Sequence, residues 1–256
     1  MKTSVESSKL PQNMKLALRL QKFIAWLTLP VWFVFSTAIM RLVYGYKIRN
    51  LKQFRRNFKR LLKNNRQPIL ICANHLTKID SLIILWALGS LGFYIRHFKK
   101  FAWNLPEKER YFHSIWLRIF CYIGCCIPVS RGGDRKEVNQ SLDKILYLVA
   151  DQHLTMIFPE GKRGEKGRID KTDYSYGVGR IIQRTPNCQV LCVYMRGRHQ
   201  AQKSDFPIRG EEFYIEAKMI KPTSDLSGMR QIRALSSEVI LSLSEMESEY
   251  FDHCWE

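Results

Sequence analysis

No two cysteines in this chain of 256 residues are spaced C-x-x-C, which leaves a zinc ribbon or a dithiol redox motif without support. The seven cysteines are an odd number, and most lie in apolar runs such as ILICAN and QVLCVYM. They read as buried free thiols of a reducing compartment. Acidic residues are also scarce, with 23 Asp and Glu against 41 Lys and Arg for a formal charge of +18. A surface that basic calls for an anionic partner: nucleic acid, an anionic lipid surface or a phosphorylated substrate. No internal repeat and no low-complexity linker interrupts the chain, so solenoids and tethered multidomain arrays are excluded.

What is present begins with one apolar stretch. Phe23 to Met40 carries no charge over 18 residues. As a helix it would be about 27 Å long at ~1.5 Å per residue, against a hydrocarbon core of ~30 Å. Pro30 near its middle predicts a break, and Trp26 and Trp32 suit a membrane–water interface. Lysines and arginines precede the stretch. Arg41 to Arg66 then holds ten basic residues and no acidic one. Positive flanks on both sides favour the cytoplasmic face for both, the inner membrane in a bacterium. The expectation is therefore a helical hairpin dipping into one leaflet. A single span, a cleaved leader ending near Ser36-Thr37-Ala38 and a buried helix are the alternatives. Arg49–Lys63 follows with Leu51, Phe54, Phe58, Leu61 and Leu62 on one helical face. That pattern suits either an anionic bilayer or a core helix with a solvated basic face; its place after the hairpin favours the bilayer.

From Gln67 the texture changes. PILICAN (68–74), LGFYI (91–95), CCIPVS (125–130), LTMIF (154–158), QVLCVYM (189–195) and EFYIEAKMI (212–220) read as strands. Residues 81–88, 137–152 and 228–249 read as helices. Alternation of this kind predicts an α/β domain over 67–256, with a mixed sheet flanked by helices. A polar segment at 1–15 and the membrane-associated segment at 16–66 come before it.

Three predicted strand ends carry reactive residues. Asn74-His75-Leu76-Thr77-Lys78-Ile79-Asp80 places a carboxylate five residues after a histidine. Asp80 can fold back on the imidazole and fix its tautomer, leaving the other nitrogen to take a proton. No nucleophile is evident beside the pair, so such a base would act on the substrate's own hydroxyl. Phe158-Pro159-Glu160-Gly161-Lys162-Arg163-Gly164 is a tight turn with cations, suited to a phosphate. Ile127-Pro128-Val129-Ser130-Arg131 ends in a third cation. Helix capping and solvated basic loops are the plainer readings of these segments.

Taken together, the segments resemble the glycerolipid acyltransferase superfamily, whose best-known members are the 1-acylglycerol-3-phosphate acyltransferases. NHLTKID resembles its H-x-x-x-x-D motif, FPEGKRG its F-P-E-G-T-R-S block, and CCIPVSR the block ending in a phosphate-contacting arginine. They come in order, with about fifty residues from His75 to Arg131 and about thirty more to Glu160. The resemblance implies that His75 is the general base and Asp80 its orienting partner. It also implies that Asn74, Arg131, Glu160, Gly161, Lys162 and Arg163 shape the acceptor site. The donor would be acyl-CoA or acyl-carrier protein, with no bound cofactor or metal. The acceptor would be a lysophospholipid, first of all 1-acyl-sn-glycerol 3-phosphate, and membrane lipids rather than nucleic acid would answer the positive charge. Lys162 stands where the family usually has Thr, Gly164 where it often has Ser, and Tyr194 about where it has Pro. These departures bear on the acceptor's identity. Another lysolipid acceptor is the alternative, and a basic nucleic-acid-binding protein a remote one.

Overall fold

The architecture was read from a computed structural model that describes residues 10–63, 65–111, 113–130, 133–164 and 167–253. Six strands form one sheet: β1 (Lys47–Ile48), β2 (Ile69–Ala73), β3 (Trp103–Asn104), β4 (Thr155–Ile157), β5 (Gln189–Gly197) and β6 (Glu212–Ile220). Their order is β1-β6-β5-β2-β4-β3, and only the β5–β6 pair is antiparallel. All five residues of β2 are buried, as an uninterrupted apolar run predicts for a central strand covered on both faces. The helices are α1 (Gln12–Ala38), α2 (Leu51–Leu62), α3 (Asp80–Leu88), α4 (Leu91–Arg96), α5 (Lys108–Tyr111), α6 (Ile115–Ile123), α7 (Arg135–Ala150), α8 (Gly177–Arg184) and α9 (Gly228–His253). The expected mixed α/β sheet flanked by helices is thus present. The segment before Gln67 adds a strand to it, because β1 pairs with β6.

Four local expectations are corrected. The break at Pro30 does not occur: α1 runs through it as one helix and ends in a π-helical turn at Ile39–Val43. There is accordingly no hairpin. An interior proline costs about 3 kcal/mol, whereas burying one large apolar side chain returns roughly 1.5–3 kcal/mol. Leu29, Trp32 and Phe33 around Pro30 are all buried, with Trp32 edge-on to Phe101 and Phe120 and Phe33 edge-on to Tyr94. Packing therefore keeps the helix continuous across the proline.

The LGFYI segment is the helix α4, not a strand. The Ser90 hydroxyl caps it by accepting from the Phe93 N–H, and the buried Tyr94 hydroxyl donates to the Leu85 carbonyl at 2.6 Å. The CCIPVS segment touches the sheet only through isolated bridges, Asn104 to Cys126 and Glu107 to Val129. Pro128 has no N–H for a ladder, and Cys125 turns the chain with φ 53°.

The apolar face of α2 does not lie on a bilayer either. Phe54 and Phe58 are buried in the core, and the Arg55 guanidinium donates to the carbonyls of Trp86, Ala87 and Gly89 at the end of α3. α1 keeps an apolar side toward solvent: Leu16, Leu20, Phe23, Leu27, Val31 and Val34 recur every three or four residues and are exposed. By length and composition the helical stretch Gln12–Val43 could cross a membrane.

Candidate active site

Parallel pairing of β2 with β4 sets the two motifs side by side, because both strands end at the same edge of the sheet. Chain departure from β2 is fixed by Asn74. Its side-chain amide donates to the Met195 carbonyl at 2.9 Å and its side-chain oxygen accepts from the Met195 N–H at 2.8 Å, clamping it to β5. The next residue, His75, donates its backbone N–H to Oε1 of Glu160 at 2.8 Å. Glu160 stands just beyond β4, so one hydrogen bond ties the two motifs together.

Asp80 opens α3 and is 1% exposed. Its Oδ2 lies 3.0 Å from His75 Nδ1 and accepts from the backbone N–H groups of Leu76 and Thr77 at 2.6 and 2.8 Å. Its Oδ1 accepts from the Thr77 hydroxyl. The histidine–aspartate loop is thus closed by four hydrogen bonds to one carboxylate. With Nδ1 donating to Asp80, Nε2 is the basic nitrogen. Asp80 is the ring's one hydrogen-bond partner among the described residues. The Phe158 ring stacks on the imidazole at 4.1 Å, and the His75 side chain remains 19% exposed, so substrate can reach it.

Glu160 is buried, and burial pushes its carboxyl up to about 8, against the N–H bond from His75 that favours ionisation. It is therefore largely neutral at pH 7. Gly161 turns the chain with φ +73°, where a Cβ would come within 3.1 Å of the Ser175 Cβ; only glycine is at ease there. The Lys162 ammonium meets the Asp173 carboxylate at 2.5 Å on an exposed surface. Arg163, 13% exposed, donates to the Ser204 carbonyl at 2.8 Å and to Asp205 Oδ1 at 3.1 Å. Arg131 lies outside the described residues.

His75, Asp80 and Glu160 are thus joined directly. Arg163 joins them through residues 204–205, which also hold the His75 loop by backbone bonds from Ser204 N–H to the Leu76 carbonyl and from Lys78 N–H to the Asp205 carbonyl. Asn74 and Lys162 are engaged elsewhere, with Met195 and Asp173. Sequence reasoning missed Phe158, although an aromatic residue directly before Pro-Glu-Gly was visible. It missed the Thr77 hydroxyl as well. Asp205 and Tyr111 carry no sequence signal; Tyr111 lies within electrostatic reach of both Arg163 and Asp80, while burial is the main cause that raises its hydroxyl.

No curated protein matches this sequence. A family model described as acyltransferase matches residues 46–196, more than half of the chain and the stretch from β1 to the penultimate residue of β5. The match includes His75, Asp80 and the Glu160 turn. The chain therefore belongs to the acyltransferase family, the domain of the glycerolipid acyltransferase superfamily.

Proposed function

We propose that this acyltransferase moves a fatty acyl chain from acyl-CoA or acyl-carrier protein to the free hydroxyl of a lysophospholipid. The first-choice acceptor is 1-acyl-sn-glycerol 3-phosphate, giving phosphatidic acid. The observation that carries the reading is the imidazole of His75, bound to Asp80 through Nδ1, with no nucleophile among the described residues hydrogen-bonded to it. His75 Nε2 takes the acceptor's hydroxyl proton as the oxygen attacks the thioester carbonyl. The tetrahedral adduct collapses to the ester, and the departing thiolate takes the proton back from the imidazolium. Arg163 supplies charge for a phosphate, and a neutral Glu160 adds no opposing charge. Asn74 positions the His75 loop, and the Gly161 turn sets the direction of Arg163. The thioester is the activated group, so no bound cofactor is called for.

Arginine's charge-assisted hydrogen bonds are worth roughly 1.5–3 kcal/mol each, about ten- to a hundredfold in kcat/KM. Arg163→Ala should lose that much on a phosphorylated lysolipid, with lysine a partial rescue. Assays of the purified protein across a lysolipid panel, with and without a terminal phosphate, test both acceptor and role. An equal fractional loss on both acceptors would mean that Arg163 only staples the 204–205 loop.

The acceptor is a bilayer lipid, and the exposed side of α1 is the surface proposed to meet that bilayer, on its cytoplasmic face. Alongside it α6 exposes Ile115, Trp116 and Ile119, with Trp116 at 77%. Gln21 of α1 donates to the carbonyls of Tyr122 and Cys126, which joins the two helices. Anionic lipid headgroups, not nucleic acid, then answer the +18 charge. Trp116→Asp should reduce sedimentation with anionic liposomes about tenfold, since inserting one large apolar group is worth roughly 1.5–3 kcal/mol. Unchanged sedimentation would remove α6 from the membrane surface.

A further inference from the structure

One carboxylate bridges the two motif loops. Asp205 Oδ2 accepts from Lys78 Nζ at 2.6 Å, inside the histidine motif, and Oδ1 accepts from Arg163 Nη1 at 3.1 Å, beyond the Glu160 turn. Each oxygen sits on a different cation, and the two cations converge on one point beside the His75 loop. A phosphomonoester offers oxygens at similar spacing and more negative charge.

We infer that Lys78 and Arg163 form a single anion subsite that Asp205 keeps occupied until a phosphomonoester headgroup displaces it. The inference rests on the phosphorylated-acceptor reading above and adds Lys78 as a ligand and Asp205 as its competitor. The arrangement lets the side chain leave alone. The backbone of 204–205 is held independently, by Ser204 N–H to Leu76, Lys78 N–H to Asp205 carbonyl and Arg163 to the Ser204 carbonyl. The Asp205 side chain is 58% exposed, so it swings into water at small cost, whereas Arg163 stays in place at 13%. Pairs this exposed are weak, and a dianion outcompetes a monoanion for two cations. A self-occupied site shows an affinity reduced by the fraction of time it is closed. Asp205 therefore sets the concentration at which a phosphorylated acceptor engages the enzyme, while a neutral acceptor, which takes no part in the exchange, is indifferent to it.

The test uses the full chain in vesicles and two readouts. First, sn-glycerol 3-phosphate binding is followed by thermal shift and by inhibition of acyl transfer. Second, KM is measured for 1-acylglycerol 3-phosphate and for monoacylglycerol. Asp205→Asn should tighten glycerol 3-phosphate binding and lower KM for the phosphorylated acceptor by about three- to tenfold, leaving monoacylglycerol unaffected. Adding Lys78→Met should reverse the gain. Unchanged glycerol 3-phosphate affinity in Asp205→Asn would overturn the subsite even if the phosphorylated lipid is a good substrate. Tighter glycerol 3-phosphate binding without turnover of the phosphorylated lipid would leave the subsite standing and refute the acceptor reading instead. A lowered melting temperature with KM raised for both acceptors would show that Asp205 only staples the loop, and would also overturn the proposal.

Discussion

Replacing His75 with alanine should lower acyl transfer about 10²–10⁴-fold, the range a positioned general base supplies. The fold should survive. Asp80 loses one hydrogen bond but keeps those from Leu76 N–H, Thr77 N–H and the Thr77 hydroxyl. Phe158 loses its stacking partner, a contact worth about 0.5–1.5 kcal/mol at most. Glu160 still accepts from the backbone N–H of residue 75, because that donor does not depend on the side chain. Steady-state turnover with saturating donor, beside a thermal melt, is the measurement. A melting point near that of the wild type with turnover nearly abolished is the expected pair of results. Near-normal turnover would dismiss His75 as the base.

Asp80→Asn should produce a loss of similar size, roughly 10³-fold, with a different signature. One of the carboxylate oxygens becomes an NH₂ donor in a site whose partners are themselves donors. If it takes the Oδ2 position it faces two backbone N–H groups and the imidazole; if it takes Oδ1 it faces the Thr77 hydroxyl, which can turn to accept. The amide therefore settles with its oxygen toward the N–H groups, and the His75 tautomer loses its ionic anchor. The charge-assisted bonds to the buried carboxylate become weaker neutral ones, and a loss of roughly 1–3 kcal/mol in this way should lower the melting temperature by several degrees, unlike that of His75→Ala. Turnover is the decisive quantity. If Asp80→Asn lost stability but kept its rate, Asp80 would be a loop residue alone. The contrast between the two variants separates chemistry from scaffolding at adjacent atoms.

Much of the site was legible because its parts are local. The five-residue step from His75 to Asp80 is short enough for the side chains to meet whatever surrounds them. The Pro-Glu-Gly turn likewise declares itself by residues with few conformational options. The central strands ILICA, TMI and QVLCVYMRG were legible for a related reason: a strand buried on both faces needs an unbroken apolar run. α7 and α9 follow from helical spacing of their apolar residues, whereas α3 is an unbroken apolar run. What failed was short or depended on neighbours. Nothing local distinguishes LGFYI as one and a half turns of helix from a short strand. The difference lies in Tyr94, whose hydroxyl reaches back to Leu85 inside the core.

Sequence alone determined the chemistry on offer: a histidine with a carboxylate within reach, a cationic turn, and a long apolar stretch near the N-terminus. These rest on interactions between residues close in the chain, which composition and spacing control. Tertiary structure decided everything that depends on distant partners. The parallel register of β2 and β4 brought Glu160 to the backbone of His75, 85 residues away. Core packing around Trp32 and Phe33 carried α1 straight through Pro30 where local propensity called for a break. The core also claimed the apolar face of α2, because Phe54 and Phe58 gain more against the sheet and α3 than at a bilayer surface. Residues 204–205 folded back to lay Asp205 between Lys78 and Arg163, a bridge that reaches back 127 residues to one cation and 42 to the other. No spacing rule reaches that far: such contacts form only when the whole sheet has fixed the two ends in place.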